Sequence, residues 1–284
     1  MKMKENILYD ETIVRHEKND HRKLILRKVI GLLILFFIIV MSGFFIDSEQ
    51  IEANMSEKYL SPSFAHLFGT DWLGRDMLMR TLAGLNLSFQ VGLFASTIST
   101  VIALTLSLFA SMNKLLDMIV TTLIDLFLSI PHLVTLILIA FVLGGGVKGV
   151  VIGIAFTHWP TLTRVLRAEL MQIKSSEYVQ LSMKLGKSRM WIIKHHFLPH
   201  LLPQLFVGFI LLFPHAILHE SAITFLGFGL SPEQPAIGII LSESLRYLTT
   251  GMWWLVLFPG LSLIVMVTIF DALGNNLRKY LNPS

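Results

Sequence analysis

Cysteine is missing from this sequence, and charged residues are scarce. None of the 284 residues is a cysteine, which excludes both a disulfide framework and a cysteine-ligated metal site. Charged residues make up 15% of the chain, whereas soluble domains carry about 25%. Hydrophobic residues make up 54%, so we expect much of the chain to contact a lipid bilayer.

Motifs for binding nucleotides and nucleic acids are missing as well. No stretch matches the GxxxxGK[ST] loop that grips ATP phosphates, so the chain is not expected to be an ATP-hydrolysing enzyme. The basic residues flank apolar runs and form no stripe with interleaved aromatic residues, which argues against nucleic acid as a partner. No run shows the alternation of barrel strands. The sequence therefore predicts an all-α polytopic membrane protein.

Six apolar stretches are long enough, or nearly so, to cross a bilayer, which takes about 20 helical residues. Helices are expected because they satisfy their backbone hydrogen bonds internally. The first stretch follows a long basic lead and lacks a small-residue cleavage site, so it is interpreted as a retained anchor. The predicted spans are residues 29–46, 87–111, 115–143, 147–166, 201–218 and 253–273.

The charges in the loops predict the orientation. Lysine and arginine are concentrated ahead of the first span and between the fourth and fifth spans. The positive-inside rule therefore places both termini in the cytoplasm. The predicted divisions are a cytoplasmic segment (1–28), a transmembrane anchor (29–46), an extracytoplasmic segment (47–85), a permease core (86–276) and a cytoplasmic tail (277–284). Within the core lie a cytoplasmic coupling loop (171–200) and an extracytoplasmic loop (220–252).

The loop 171–200 carries the signals of a short helix. Ser175 or Ser176 can cap a helix that begins near Glu177, and Gly186 can end it in a left-handed conformation. A second helical piece is expected to follow. The pattern predicts a rigid knob on the cytoplasmic face, and the alternative is an interfacial helix lying among lipid headgroups.

The outer segment contains GTDWLGRDMLMRTLAG, which predicts a turn followed by a helix. Thr70 or Asp71 is a candidate N-cap of that helix. Asp71, Arg75 and Asp76 are expected to form a local salt-bridged turn that seals the outer face.

Prolines and one acidic residue interrupt the predicted spans. Pro131 and Pro160 are expected to kink or unwind the third and fourth spans. Asp125 lies a few turns into the third span. It is expected either to pair with a basic residue of a partner chain or to cap a polar patch near the cytoplasmic surface.

Several longer motifs resemble those of permease subunits from the dipeptide, oligopeptide and nickel importer family. The run GTDWLGRD resembles that family's Gly-Thr-Asp-x-x-Gly-Arg-Asp signature. The run ESAITFLGFG resembles its Glu-x-x-Leu-Ser-Phe-Leu-Gly-Leu-Gly loop, with Ile223 and Thr224 in place of Leu-Ser. The run FDALGNNLRKYLNP resembles the family's C-terminal motif. This chain departs from the C-terminal motif at Asp271, Asn275, Lys279 and Asn282.

The cytoplasmic loop resembles the docking loop of the same superfamily. Gln180, Leu181 and Ser182 stand where that loop usually has Glu-Ala-Ala, whereas Gly186 and Pro199 match its pattern. The resemblance implies that this loop couples the chain to an ATPase subunit. The implied coupling residues are Glu177, Gln180, Leu181, Ser182, Gly186 and Pro199.

The resemblance also implies a fold, partners and a location. The fold is that of type I importers, with about six transmembrane helices. The partners are a second homologous permease, two ATPase subunits that bind ATP and Mg²⁺, and an extracytoplasmic substrate-binding protein. This chain itself is expected to bind no cofactor. The location is the inner or plasma membrane of a prokaryote.

Three histidines in the predicted spans suggest a cargo. His215 and His219 are four residues apart and so share a helix face, and His158 lies near the middle of the fourth span. Imidazole is a good ligand for nickel, copper, zinc and iron. The run containing His215 and His219, and the pair His158–Trp159, are similar to runs in the nickel-importing branch of the family. The resemblance implies a path for nickel or a nickel chelate, with His215 and His219 as transient ligands.

Other interpretations compete with nickel import. The histidines can instead hydrogen-bond neighbouring helices, and the same scaffold can carry dipeptides or oligopeptides. A secondary transporter driven by an ion gradient would need no ATPase subunits. A metalloenzyme built on His215, His219 and Glu220 is disfavoured, because HxxxHE lacks the HExxH arrangement of zinc proteases.

Overall fold

The chain folds into helices wherever regular structure is described. The structure is a computed structural model that describes residues 2–281, with the side chains of residues 23–280 except at position 48. In that range the only non-helical pairing is an isolated bridge between Thr70 and Asp76. The predicted all-α class is therefore confirmed. The helices are α1 (Lys2–Phe44), α2 (Met77–Met112), α3 (Lys114–Ser129), α4 (His132–Val142), α5 (Gly146–Lys174), α6 (Glu177–Lys184), α7 (Arg189–Ile192), α8 (Leu198–Phe225), α9 (Ile237–Leu248) and α10 (Trp254–Leu281).

Membrane-spanning capacity is spread over four long helices and one bent pair. Among the described residues, the helices apolar and long enough to cross a bilayer are α1 from Lys23 onward, α2, the continuous run Arg189–Phe225, and α10. The pair α3 and α4 makes a fifth span if counted as one, bent by 96° at Pro131. The sequence predicted about six spans. The remaining predicted span, residues 147–166, lies within α5.

Helix α5 lies in the centre of the bundle, which explains why it is less apolar than the others. It packs most extensively against α2 and also contacts α4 and α8. About half of its residues are buried, including Thr157, His158 and Pro160. Polar residues are tolerated here because protein, not lipid, surrounds them.

Pro160 lies inside α5, which continues on both sides of it. Of the two predicted effects, unwinding of the helix at Pro160 is therefore not observed. Packing against neighbouring helices allows a proline to remain within a transmembrane helix. Pro131, in contrast, lies at the sharp bend between α3 and α4, as the sequence predicted.

Several predicted boundaries shift in the structure. Helix α2 begins at Met77, within the segment 47–85 that was predicted to be extracytoplasmic, and its N-cap is Asp76 instead of Thr70 or Asp71. The carboxylate of Asp76 accepts hydrogen bonds from the backbone N–H groups of Leu78 and Met79. At the other end of the chain, Asn282 and Pro283 of the predicted C-terminal motif lie outside the described residues.

Helix α8 is also longer than the predicted fifth span. It continues to Phe225, so Glu220 lies inside a helix and not at the start of an outer loop. Glu220 is completely buried and accepts hydrogen bonds from the hydroxyls of Ser88 (2.6 Å), Ser221 (3.2 Å) and Thr224 (3.1 Å). These bonds join α2 to α8, which gives the carboxyl group a packing role.

Candidate functional site

The cytoplasmic loop forms the helical knob that its sequence predicts. Helix α6 has Ser176 as its N-cap and begins at Glu177. Gly186 follows the helix with a φ of +77°, the left-handed conformation that favours glycine. Val179 is fully buried against Leu166, Leu170 and other residues of the cytoplasmic-side core. The knob is therefore a packed part of the molecule and not a free helix.

The opposite face of α6 leaves apolar side chains uncovered. Leu181 is 57% exposed and Leu185 is 70% exposed. The amide of Gln180 donates to the carbonyl of Lys174 (2.8 Å), and the hydroxyl of Ser182 donates to the carbonyl of Tyr178 (2.9 Å). Of the three residues that replace Glu-Ala-Ala, the leucine is the one whose exposed side chain is apolar.

A single helical run connects this knob to the interior. Helix α7 passes through a π-helical turn, Ile193–Phe197, directly into α8. Pro199 is the second residue of α8, directly after the π-helical turn. Arg189 donates to the carbonyl of Met112 (2.7 Å), which ties the start of the run to the end of α2.

Three histidines meet where α4, α5 and α8 approach one another. His132 begins α4, His158 lies in α5, and His219 lies in α8. Their ring centroids are 4.5 Å apart for His132 and His219, 4.6 Å for His132 and His158, and 5.1 Å for His158 and His219. One nitrogen from each ring lies within 4.8 Å of the others. We call this arrangement the histidine triad.

The triad differs from the predicted group in one residue. The structure brings His158 and His219 together, as the predicted path requires, and adds His132. His215 lies outside the triad and is exposed. It lines a separate cavity of about 320 Å³ together with Gln204 and Arg278.

Sequence reasoning missed His132 because its neighbours in the triad are far away along the chain. The available signal was its position directly after Pro131, at a break in an apolar span. Broken helices at membrane depth often border a binding site.

Two ring nitrogens of the triad lack hydrogen-bond partners. Nδ1 of His158 lies 2.9 Å from the carbonyl oxygen of Ile154, so Nδ1 carries the proton and donates it. Nε2 of His158 is then an acceptor, and it has no partner among the described residues. Nδ1 of His132 is buried and likewise unpaired within the described part of the chain.

The outer surface carries a network of ion pairs that is larger than the predicted local turn. Oδ2 of Asp71 accepts from Nε of Arg75 (2.7 Å) and from Nη1 of Arg80 (2.7 Å). Both arginines also reach Glu243, at 3.4 Å from Arg75 and 3.0 Å from Arg80. Glu243 belongs to α9, so the network joins the turn, the start of α2 and the outer helix. We call it the outer ion cluster.

Asp76 does not belong to the outer ion cluster, although the sequence predicted that it would join Asp71 and Arg75. Its carboxylate caps α2 and lies 2.8 Å from Nδ1 of His66. The cap uses Oδ1 and the histidine uses Oδ2. The predicted turn is therefore divided between two carboxylates with separate partners.

Asp125 pairs within its own chain. Nη2 of Arg164 lies 3.0 Å from Oδ1 of Asp125, and both side chains are exposed. Asp117 and Arg167 make a second contact of the same kind between α3 and α5. Asp125 therefore has a basic partner within its own chain, which agrees better with the predicted local structural role than with the alternative of a pair between subunits.

We expect Gly74→Ala to destabilise the outer turn strongly. Gly74 has a φ of +76°, and an added Cβ would overlap the carbonyl oxygen of Asn54. The left-handed conformation costs about 1–2 kcal/mol, and the overlap adds about 1–3 kcal/mol. The midpoint of thermal unfolding in detergent should fall accordingly.

Gly251→Ala is the matched control for that substitution. Gly251 has a φ of +88°, but an added Cβ would meet nothing within 4 Å. Only the conformational cost of about 1–2 kcal/mol should appear. Equal losses of stability in the two variants would contradict the steric argument.

The described residues define a class of protein. Long apolar helices pack around a polar centre, and a structured cytoplasmic knob presents an uncovered apolar face. These features are those of a multi-pass membrane protein with a structured loop region outside its apolar helices.

Comparison with known proteins identifies the family. Residues 99–283 match the family described as binding-protein-dependent transport system inner membrane components. The chain belongs to this family, and it is an importer permease in the inner membrane of a bacterium. It is 34% identical over 259 residues to the dipeptide transport system permease protein DppC of Alkalihalophilus pseudofirmus, a match that covers 90% of this chain and 85% of the relative. It is 32% identical to the protein of the same name from Bacillus subtilis, over 89% of this chain and 80% of the relative.

Membership of the family confirms the predicted fold and the general function. The type I importer fold and the role of permease are supported, and the permease component is not itself catalytic. The family generally works with a partner permease, ATPase subunits and a binding protein. The comparisons do not support nickel as the cargo.

Proposed function

We propose that this chain and a second permease together form the path by which short peptides cross the membrane. The observation that carries this proposal is the similarity to two dipeptide permeases along about nine-tenths of the chain. The alternating-access motion would move the helices between packings open to either side.

The proposed energy input enters through α6. The uncovered face around Leu181 would insert into a cleft of an ATPase subunit, with Glu177 and Gly186 at the two ends of the docking helix. The amide of Gln180 ties α6 to the carbonyl of Lys174 at the end of α5, and the hydroxyl of Ser182 bonds the backbone of α6 itself at Tyr178. The motion would then reach α8 at Pro199, close to the start of that helix.

A second cargo is favoured by one specific observation. The histidine triad places three imidazoles at the meeting point of α4, α5 and α8, and imidazole suits nickel and copper. Nickel or a nickel chelate is therefore the second candidate, with His158 and His219 as path residues and His215 in the adjoining cavity.

Uptake measurements separate the two cargoes. The assembled transporter in proteoliposomes, with its binding protein, would be supplied with ATP and either a radiolabelled dipeptide or radiolabelled nickel. We expect saturable, ATP-dependent uptake of the dipeptide that unlabelled nickel does not compete away. Uptake of nickel without uptake of peptide would overturn the peptide proposal in favour of the second candidate.

The same preparation tests the energy source. A variant ATPase subunit that binds but does not hydrolyse ATP should abolish uptake. Transport that continued with this subunit, driven by an ion gradient, would contradict the importer mechanism.

A further inference from the structure

The histidine triad has the composition of a metal site, although no function was assigned to His132 from the sequence. Three elements that are separate in sequence each contribute one imidazole, and a nitrogen from each lies within 4.8 Å of the others. In the part of the chain that the structure describes, no other group of histidine or acidic residues meets this spacing. Three converging imidazoles are unusual in a membrane core, where ionisable groups are costly and mark functional sites.

The protonation of His158 prepares its ring to bind a cation. Its Nδ1–H points to the carbonyl of Ile154, one turn earlier on the same helix. This bond fixes the ring and leaves the Nε2 lone pair free to bind a cation, just as metal-binding histidines are oriented by a second hydrogen bond. His158 is only 7% exposed, and its Nε2 has no partner among the described residues. A buried acceptor left unpaired costs about 1–3 kcal/mol, and a bound cation would remove that cost.

We propose that His132, His158 and His219 bind one divalent transition-metal ion of the nickel, copper and zinc class. The inference deepens the second candidate cargo of the proposed function, because it concerns binding of the ion itself at the same three rings, and it does not depend on whether peptides are transported. His158 would bind through Nε2, and the partly exposed rings of His132 and His219 would supply the other two nitrogens.

The distances fit a site that closes slightly on binding. Metal–nitrogen bonds of about 2.1 Å in tetrahedral geometry separate two ligands by about 3.4 Å. The nitrogens of the triad lie within 4.8 Å, so closure needs movements of about an ångström. His132 and His219 are only partly buried, so their rings have room to make this movement.

A cavity beside His132 can give access to the remaining coordination position. It measures about 360 Å³, and its lining includes Pro131, His132, Thr135 and Thr157. A water molecule there can complete the coordination of the ion. Three protein ligands plus one open position is the arrangement of exchangeable metal sites, whereas permanent structural sites are closed.

The ligand set also predicts selectivity. All three ligands are neutral nitrogens, which suit zinc, copper and nickel, whereas magnesium and calcium prefer oxygen ligands. The group includes no carboxylate to balance the charge of the ion. We therefore expect moderate affinity and fast exchange, with no binding of magnesium at the concentrations that ATPase subunits require.

Spectroscopy on the assembled transporter tests the proposal. The complex would be purified with an affinity tag that contains no histidine, placed in lipid nanodiscs and titrated with Cu²⁺, Ni²⁺ or Mg²⁺ alone. Electron paramagnetic resonance of the copper form should show coupling to nitrogen nuclei. His158→Gln and His219→Gln should each weaken binding of Cu²⁺ and Ni²⁺ by at least about a hundredfold, because even the loss of a supporting partner costs about 10–100-fold.

Two control variants make the result specific. His200→Ala removes an exposed histidine that pairs with Glu169 on the cytoplasmic side, and it should leave binding unchanged. His215→Ala removes the histidine nearest in sequence to His219, and it should also keep the binding of copper and the nitrogen coupling. His132→Gln must weaken binding, because the triad depends on it.

Several outcomes would overturn the proposal. They are copper without nitrogen coupling, equal affinity in wild type and all three glutamine variants, and loss of binding in His215→Ala but not in His132→Gln. Size-exclusion profiles and ATPase activity of the complex identify a variant that has merely failed to fold. Since these measurements do not involve uptake, absent metal binding and absent peptide transport remain separate results.

Discussion

Arg80→Ala is expected to lower the free energy of unfolding by about 3–5 kcal/mol, the usual cost of removing one partner of a buried ion pair. Arg80 is buried, and so is Asp71, the carboxylate that it contacts at 2.7 Å. Without the guanidinium, Asp71 keeps the Arg75 side chain and two backbone N–H donors, those of Leu73 and Arg75, and Glu243 loses its shorter contact. Unfolding in mixed detergent micelles, followed by circular dichroism, measures the loss.

Arg75→Ala provides the matched control, because Arg75 touches the same two carboxylates. Its side chain is 18% exposed and lies farther from Glu243, at 3.4 Å. Water can solvate the two carboxylates in place of this arginine. We therefore expect the free energy of unfolding to fall by about 1 kcal/mol, near the upper end for exposed ion pairs. A larger loss of unfolding free energy for Arg75→Ala than for Arg80→Ala would show that burial does not determine how much each arginine of the outer ion cluster stabilises the fold.

Leu181→Glu is expected to abolish coupled transport while leaving the permease folded. The side chain is 57% exposed on the uncovered face of α6, so a carboxylate there costs the isolated chain little. At a buried interface the same charge is left without a partner, and losses at central interface residues reach 2 kcal/mol or more. That loss of binding free energy corresponds to an affinity for the ATPase subunits that is lower by at least about 30-fold. Copurification of the subunits and ATP-driven uptake both report it.

Leu245→Glu makes the same chemical change on the outer helix α9. Leu245 is 44% exposed, so the intrinsic cost to the fold is similar. We expect the ATPase subunits to copurify normally with this variant. If Leu181→Glu retained its ATPase subunits as well, α6 would not be the docking helix.

The cytoplasmic knob could be predicted from the sequence because its signals are local. A capping serine at position 176 and a glycine at position 186 bracket the helix, and the structure keeps both ends. Asp76 shows the limit of such signals. Three candidate caps lie within seven residues, and the choice among them depends on the bridge to Thr70 and the contact with His66, which are tertiary features.

Pro131 and Pro160 show that the packing around a proline decides its effect on a helix. Pro131 lies in a short apolar segment and bends the chain, whereas Pro160 lies among the buried residues of α5 and leaves the helix intact. A proline removes one backbone donor in either case. The surrounding packing decides whether the helix breaks, and the sequence does not reveal that packing.

The candidate metal site was only partly accessible to sequence reasoning. Helical spacing drew attention to His215 and His219, because four residues make one turn. The structure instead joins His219 to His158 and His132, which depends on how α4, α5 and α8 approach one another. Pairing across helices has no periodic signature in one chain, so His132 could not be singled out from spacing.

The continuous helical run Arg189–Phe225 joins α7, the π-helical turn and α8 into one lever. Its 37 residues extend about 55 Å at about 1.5 Å per residue. A rotation of about 5° around its middle displaces each end by about 2 Å, given that length. Arg189 lies at the end nearest the knob and His219 lies toward the other end, so under the proposed mechanism a tilt of this run at the knob would change the spacing of the imidazoles.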